Sequence, residues 1–254
     1  MTARPRARAY DPAKTRTALL REAEAVRTVA AGLPAEALAA PTRLPGWTTG
    51  QLITQLAAVL EELPRLLAGP APARGEQRLD VQGWLAAYRR PAEVTPDPDP
   101  LARLTAAVRA LEGAEADPGT LLRSPHGPVN AGDFALTLVL RTVLHADDLA
   151  AATGLTIAHD RQALAITTRL LADALAHRAP GGSVEVRIPP FAVVQCVQGP
   201  RHTRGTPPNV VETDPLTWLR LAAGRTAWSS AVAEASVTAS GERADISAQL
   251  PLLD

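Results

Sequence analysis

"NAGDFALTLVLRTVLHADDLAAATG", residues 130–154, decides how this chain folds. Asn130 is a good helix N-cap, Asp133 stands in the first turn where a helix favours negative charge, and Gly154 is a natural stop. Leu136, Leu140 and Val143 share one face. Arg141, His145 and Asp148 fall within about 60° of one another on a second face, with Leu138 and Leu149 alongside. A helix that is apolar on most sides belongs at the centre of a bundle. The polar column is therefore expected to line an interior cleft rather than water. A histidine with an acidic residue one turn before it would be half of a metal site; here that earlier position is Arg141.

Working outward, Asp11-Pro12 caps a helix running to about Ala31, with Leu19, Leu20, Ala23 and Val26 at helical spacing. Thr48 followed by Gln51 reads as a capping box. It opens a helix through Leu52, Leu56, Val59, Leu60 and Leu63, with Gln55 beside that stripe. Further helices are expected around 80–90 (Trp84 and Tyr88 on one face), 100–115 and 160–178, and the prolines of 91–100 keep that segment out of a helix. After the turn at 179–182 the pattern changes. Residues 183–199 alternate and are rich in β-branched side chains, so they predict one or two strands. Val210–Thr213 predicts another strand, Asp214-Pro215 to Gly224 brackets a short helix, and 236–253 alternates around a Ser-Gly turn. The reading is α+β with two domains: a disordered basic tail at 1–9, a helical bundle at 10–178 and a smaller α+β domain at 179–254.

The 254 residues are 46 % hydrophobic and 20 % charged, as in a soluble globular protein. Twenty-six basic and 26 acidic side chains cancel, so no global field draws the protein to nucleic acid or an anionic membrane. The expected partner is a small molecule, with no nucleic acid and no membrane, and the chain is expected as a monomer or homodimer. The single cysteine, Cys196, forms no internal disulfide and reads as a small apolar filler. The basic start of the chain lacks the apolar run of a signal peptide, so a cytoplasmic location is expected. No glycine-rich phosphate loop and no Gly-x-Ser-x-Gly elbow is present. His126, His159 and His177 are expected to be exposed, and the four tryptophans to be packing anchors.

"LPGWTTGQLITQLA" (44–57) and "LRTVLHADDL" (140–149) resemble the two metal-binding segments of the mycothiol-dependent maleylpyruvate isomerase and DinB-like family. "PPFAVVQCVQGPRHTRGTPPNVVETDPLTWLRLAAGR" (189–225) and "ASGERADISAQLPLL" (239–253) resemble the actinobacterial sterol carrier family proteins. The resemblance implies a DinB-like up-down four-helix bundle followed by a sterol-carrier-like α+β domain. It also implies a divalent metal held by two histidines and a glutamate, with a thiol cofactor nearby. Carried over position by position, that triad falls on Gln55, Arg141 and His145. Gln55 offers only a neutral carbonyl oxygen, a weak ligand for a first-row metal. Arg141 has no lone pair and stays protonated. A dication about 4 Å from it is opposed by roughly 8 kcal/mol at an effective dielectric of 20. The expectation is a degenerate site with no metal and no cofactor.

Two readings of the column stay open. In one, the protein binds a small acidic or amphipathic molecule, with Arg141 gripping a carboxylate or phosphate and Gln55 and His145 completing the pocket. In the other, it is a metal-independent isomerase, cyclase or hydrolase, with His145 as general acid or base and Asp148 orienting the imidazole or pairing with Arg141. A purely structural pairing of Arg141 with a carboxylate on a neighbouring helix competes with both, and the family's metal chemistry is disfavoured. Arg201, His202 and Arg204 crowd one loop and form a second candidate anion site. There the alternative is pairing with Glu212 or Asp214.

Overall fold

The structure, a computed structural model, describes residues 8–199 and 208–253. Its contacts divide the chain into two compact units, Tyr10–Leu164 and the residues from Ala165 onward together with those before Tyr10. The disordered tail expected at 1–9 falls, for 1–7, outside the described residues. Arg8 donates from Nε to both carboxylate oxygens of Asp173 at 3.0 and 2.9 Å.

In the first unit, α1 (Pro12–Ala31), α2 (Thr49–Ala68), α4 (Pro100–Gly113) and α5 (Ala131–Thr153) form a four-helix bundle in which α1 and α2 each pack on both α4 and α5. The short α3 (Val81–Ala87) packs on α5. The caps follow from local chemistry. Asp11 accepts from Lys14 N, and Thr48 and Gln51 complete the reciprocal capping box. Trp84 and Tyr88 stack with ring centroids 5.3 Å apart. Residues 91–97 run extended over the start of α2, tied by Trp47 Nε1 to Ala92 O (3.2 Å) and Gln51 Nε2 to Val94 O (2.8 Å).

Helix α5 is buried on nearly every side, from Phe134 to Leu149. It stops at Gly154, whose φ of +70° is one that residues with a Cβ rarely adopt. It starts directly after Asn130, the N-cap residue expected, but the capping bond differs. An antiparallel hairpin, β1 (Leu121–Ser124) with β2 (Gly127–Asn130), precedes it. Asn130 belongs to that hairpin and makes no side-chain cap bond. The amides of Ala131 and Gly132 donate instead to Thr120 O and Pro118 O at 2.8 and 2.9 Å, which satisfies two N–H groups that a helix start leaves without internal partners.

Helix α6 (Arg161–Arg178) spans the division between the units. The second unit holds β3 (Val184–Ile188), β4 (Ala192–Cys196), β5 (Val210–Thr213), α7 (Pro215–Ala222), α8 (Trp228–Ala233) and β6 (Val237–Ser240). The sheet order is β4-β3-β5-β6, with only the β3–β5 pair parallel. Residues 183–199 thus form a complete hairpin. Gly181 is required beneath it, since a Cβ there would lie 1.8 Å from Val197 O. The alternation expected over 236–253 yields a single strand. Beyond Gly241 the chain continues through a 3-10 turn at Ser247–Gln249, and Leu252 and Leu253 donate to Ala222 O.

Candidate functional site

The polar column of α5 is buried: Arg141 is 4 % exposed, His145 2 % and Asp148 0 %. Burying charge is costly unless each charge is paired and hydrogen-bonded, and each pairing is visible. Arg141 donates from Nη1 and Nη2 to the two oxygens of Glu62 on α2 at 2.8 and 2.7 Å, and from Nε to Thr137 O at 3.3 Å. Its guanidinium carbon lies 5.0 Å from the Trp84 ring, 5.8 Å from Phe134 and 5.9 Å from Tyr88. Those distances are in the range where a ring face attracts a cation. Of the readings left open, the structure shows the pairing of Arg141 with a carboxylate on a neighbouring helix: its fork is closed on Glu62. Glu62 stands seven residues after Gln55, about 20° away on the α2 wheel. An acidic side chain was available on the same face of α2, and it outcompetes a free anion because it is already held in place.

His126, expected to be exposed, is half-buried at the tip of the β1–β2 hairpin, edge-on to Trp84 at 5.0 Å between ring centroids. Burial, then the nearby positive charge of Arg141, holds its pKa below the ordinary value of 6.5, and Glu62 opposes in part. His159 was also expected to be exposed. It is instead tucked against Glu22, with Nδ1 at 2.6 Å from the carboxylate, because Glu22 is fully buried on α1 and needs a partner. His177 is exposed as expected.

One turn beyond Arg141, His145 Nδ1 lies 3.3 Å from Asp148 Oδ2. Asp148 pairs not with Arg141 but with Arg43, whose Nε reaches Asp148 Oδ1 at 2.7 Å while its Nη2 pairs with Asp147. The Trp47 ring lies 6.2 Å from the imidazole, and Arg90 covers that indole at 5.2 Å. Arg43, Glu62 and Asp147 are members of this cluster that sequence reasoning did not single out, and it did not place Trp84 or His126 beside Arg141. Gln55 is half-exposed and its side chain makes no hydrogen bond to the described residues. Arg201, His202 and Arg204 lie outside the described residues.

The donor set does not fit a divalent metal. Of the three positions that the resemblance assigns, one is a guanidinium, one a neutral amide and only His145 a strong ligand. Among the described residues no group of three His, Cys, Asp or Glu side chains is placed to hold a metal ion. Among them, too, no helix is long and apolar enough to cross a membrane.

Comparison with known proteins bears on the same two units. Residues 160–252 match the family described as bacterial SCP ortholog. The fold is similar to the crystal structure of the mycothiol-dependent maleylpyruvate isomerase, with a TM-score of 0.59 and 16 % identity, covering 93 % of this chain and 95 % of that one. A histidine-to-alanine mutant of that enzyme matches with a TM-score of 0.56 and 17 % identity over the same shares. No curated protein matches by sequence. Residues 19–150, more than half of the chain, match the family model of the mycothiol maleylpyruvate isomerase N-terminal domain, and the chain belongs to that family.

Proposed function

We propose that this family member is a metal-independent small-molecule-binding protein whose ligand meets the α2–α5 face at Gln55 and His145. The observation that carries this reading is the closure of Arg141 on Glu62 at a position where the family resemblance calls for a metal ligand. The ligand is amphipathic and not strongly acidic. Glu62 balances Arg141, and Asp147 and Asp148 together outnumber Arg43 by one charge, so an acidic ligand loses its main support. Gln55 supplies an amide with hydrogen-bonding groups not engaged by the described residues. A second reading, general acid–base catalysis by His145, is favoured by one feature: Asp148 is fixed by Arg43 and so orients the imidazole.

The test is metal stoichiometry. The purified protein, incubated with Zn²⁺, Ni²⁺ or Mn²⁺ and desalted, is expected to retain no stoichiometric metal. It is also expected not to isomerise maleylpyruvate when mycothiol is supplied. The double variant Gln55→His with Arg141→Glu should gain a saturable zinc site. Stoichiometric metal in the unaltered protein, lost in His145→Ala, overturns the reading.

A further inference from the structure

Some distance along the bundle from His145 lies a partly open apolar slot. It is walled by Leu19, Leu63 and Leu111 on one side and by Ala131, Gly132 and Ala135 of α5 on the other. Ala135 is ten residues before His145, about 15 Å along the helix axis. The slot therefore stands apart from the polar column and does not depend on the reading proposed for it. Its cavity volume is about 70 Å³, about half that of an engineered apolar cavity of ~150 Å³ that accepts a benzene ring. A ring is too wide for it, whereas the end of a methylene chain is not. The α5 wall carries nothing larger than a methyl group, which is what leaves the space.

Two polar side chains reach the slot. Thr15 is already committed, its hydroxyl donating to Asp11 O at 2.9 Å. Arg16 is half-exposed and donates from Nη2 to Glu112 O at 2.7 Å, and it has no carboxylate partner among the described residues. An apolar slot beside a guanidinium that no described carboxylate pairs is complementary to an amphiphile with an anionic head. We propose that this slot binds the end of an aliphatic chain bearing a carboxylate, with the headgroup on Arg16.

The experiment is calorimetric titration of the full-length protein with sodium octanoate, 1-octanol and cyclohexanecarboxylate. One octanoate is expected per chain, with the cyclic acid much weaker. Arg16→Gln should lower the preference for octanoate over octanol by about two- to fivefold, the range of a partly exposed ion pair. Ala135→Phe fills the slot from α5 and should abolish binding of both chains. Ala114→Phe fills it from the loop after α4 and serves the same purpose if the α5 variant does not fold. Three results overturn the proposal: no saturable octanoate binding at millimolar concentration, unchanged binding in a folded slot-filling variant, or cyclohexanecarboxylate binding as tightly as octanoate.

Discussion

Removing the Glu62 carboxylate leaves a guanidinium that is 4 % exposed without its counter-charge. Breaking a buried ion pair by deleting one partner costs about 3–5 kcal/mol, because the remaining charge stays desolvated. Three aromatic rings and the Thr137 carbonyl still face Arg141 in Glu62→Ala. Glu62 itself keeps 17 % exposure, so water can enter. The expected loss is therefore at the low end, about 3 kcal/mol. With a urea slope of about 2 kcal/mol/M, the midpoint falls by roughly 1.5 M. The assay is equilibrium unfolding of the full chain by tryptophan fluorescence and circular dichroism. Trp47 and Trp84 report on the 10–164 unit, and Trp218 and Trp228 on the other. The loss is expected in the transition of the first unit. Glu62→Leu combined with Arg141→Met removes both charges and should recover most of it, since apolar replacement of a buried pair is often near neutral. If each single variant cost less than about 1 kcal/mol and the two effects added, the pair would behave as an exposed one. The closed-fork account of Arg141 would then fail.

Replacing Arg141 by Met should move the His126 pKa upward, toward 6.5, as read by imidazole proton shifts, because a positive charge that now lowers it is gone. The folded pKa lies below the unfolded value, so the unfolded chain takes up the proton first. Stability should fall as the pH drops below about 6.5, and His126→Gln should flatten that part of the profile. Cys196 is fully buried and its thiol is pushed up to about 11. An alkylating reagent at pH 8 should leave it unmodified until denaturant is added; rapid labelling of the native protein would contradict the packing around β4.

Much of the fold was legible because its signals are local. The Thr48–Gln51 box, the Asp11-Pro12 and Asp214-Pro215 starts and the Gly154 stop each rest on residues within one turn of each other. The β1–β2 hairpin was not legible. Each of its strands is four residues long, too short to show alternation; its turn, Ser124-Pro125-His126-Gly127, lacks an Asn-Gly or Asp-Gly pair but carries type I turn residues that sequence reasoning passed over. Helix α8, six residues long without a side-chain cap, left no signal either.

For the site, the sequence by itself determined that Arg141, His145 and Asp148 share one buried face, since helical periodicity fixes which side chains are neighbours along a helix. It also made the metal triad that the resemblance implies incomplete at Arg141, because a guanidinium has no lone pair wherever it lies. Only the tertiary structure decided what neutralises the column. Glu62 is 79 residues from Arg141, and Arg43 is 105 from Asp148. On the sequence those partners look like any charged residue on a helix face or in a loop. Pairing depends on distances across the bundle, which are set when the apolar faces of α2 and α5 close on each other. That closure decided between the two readings of Arg141, in favour of an internal ion pair over a grip on a free anion.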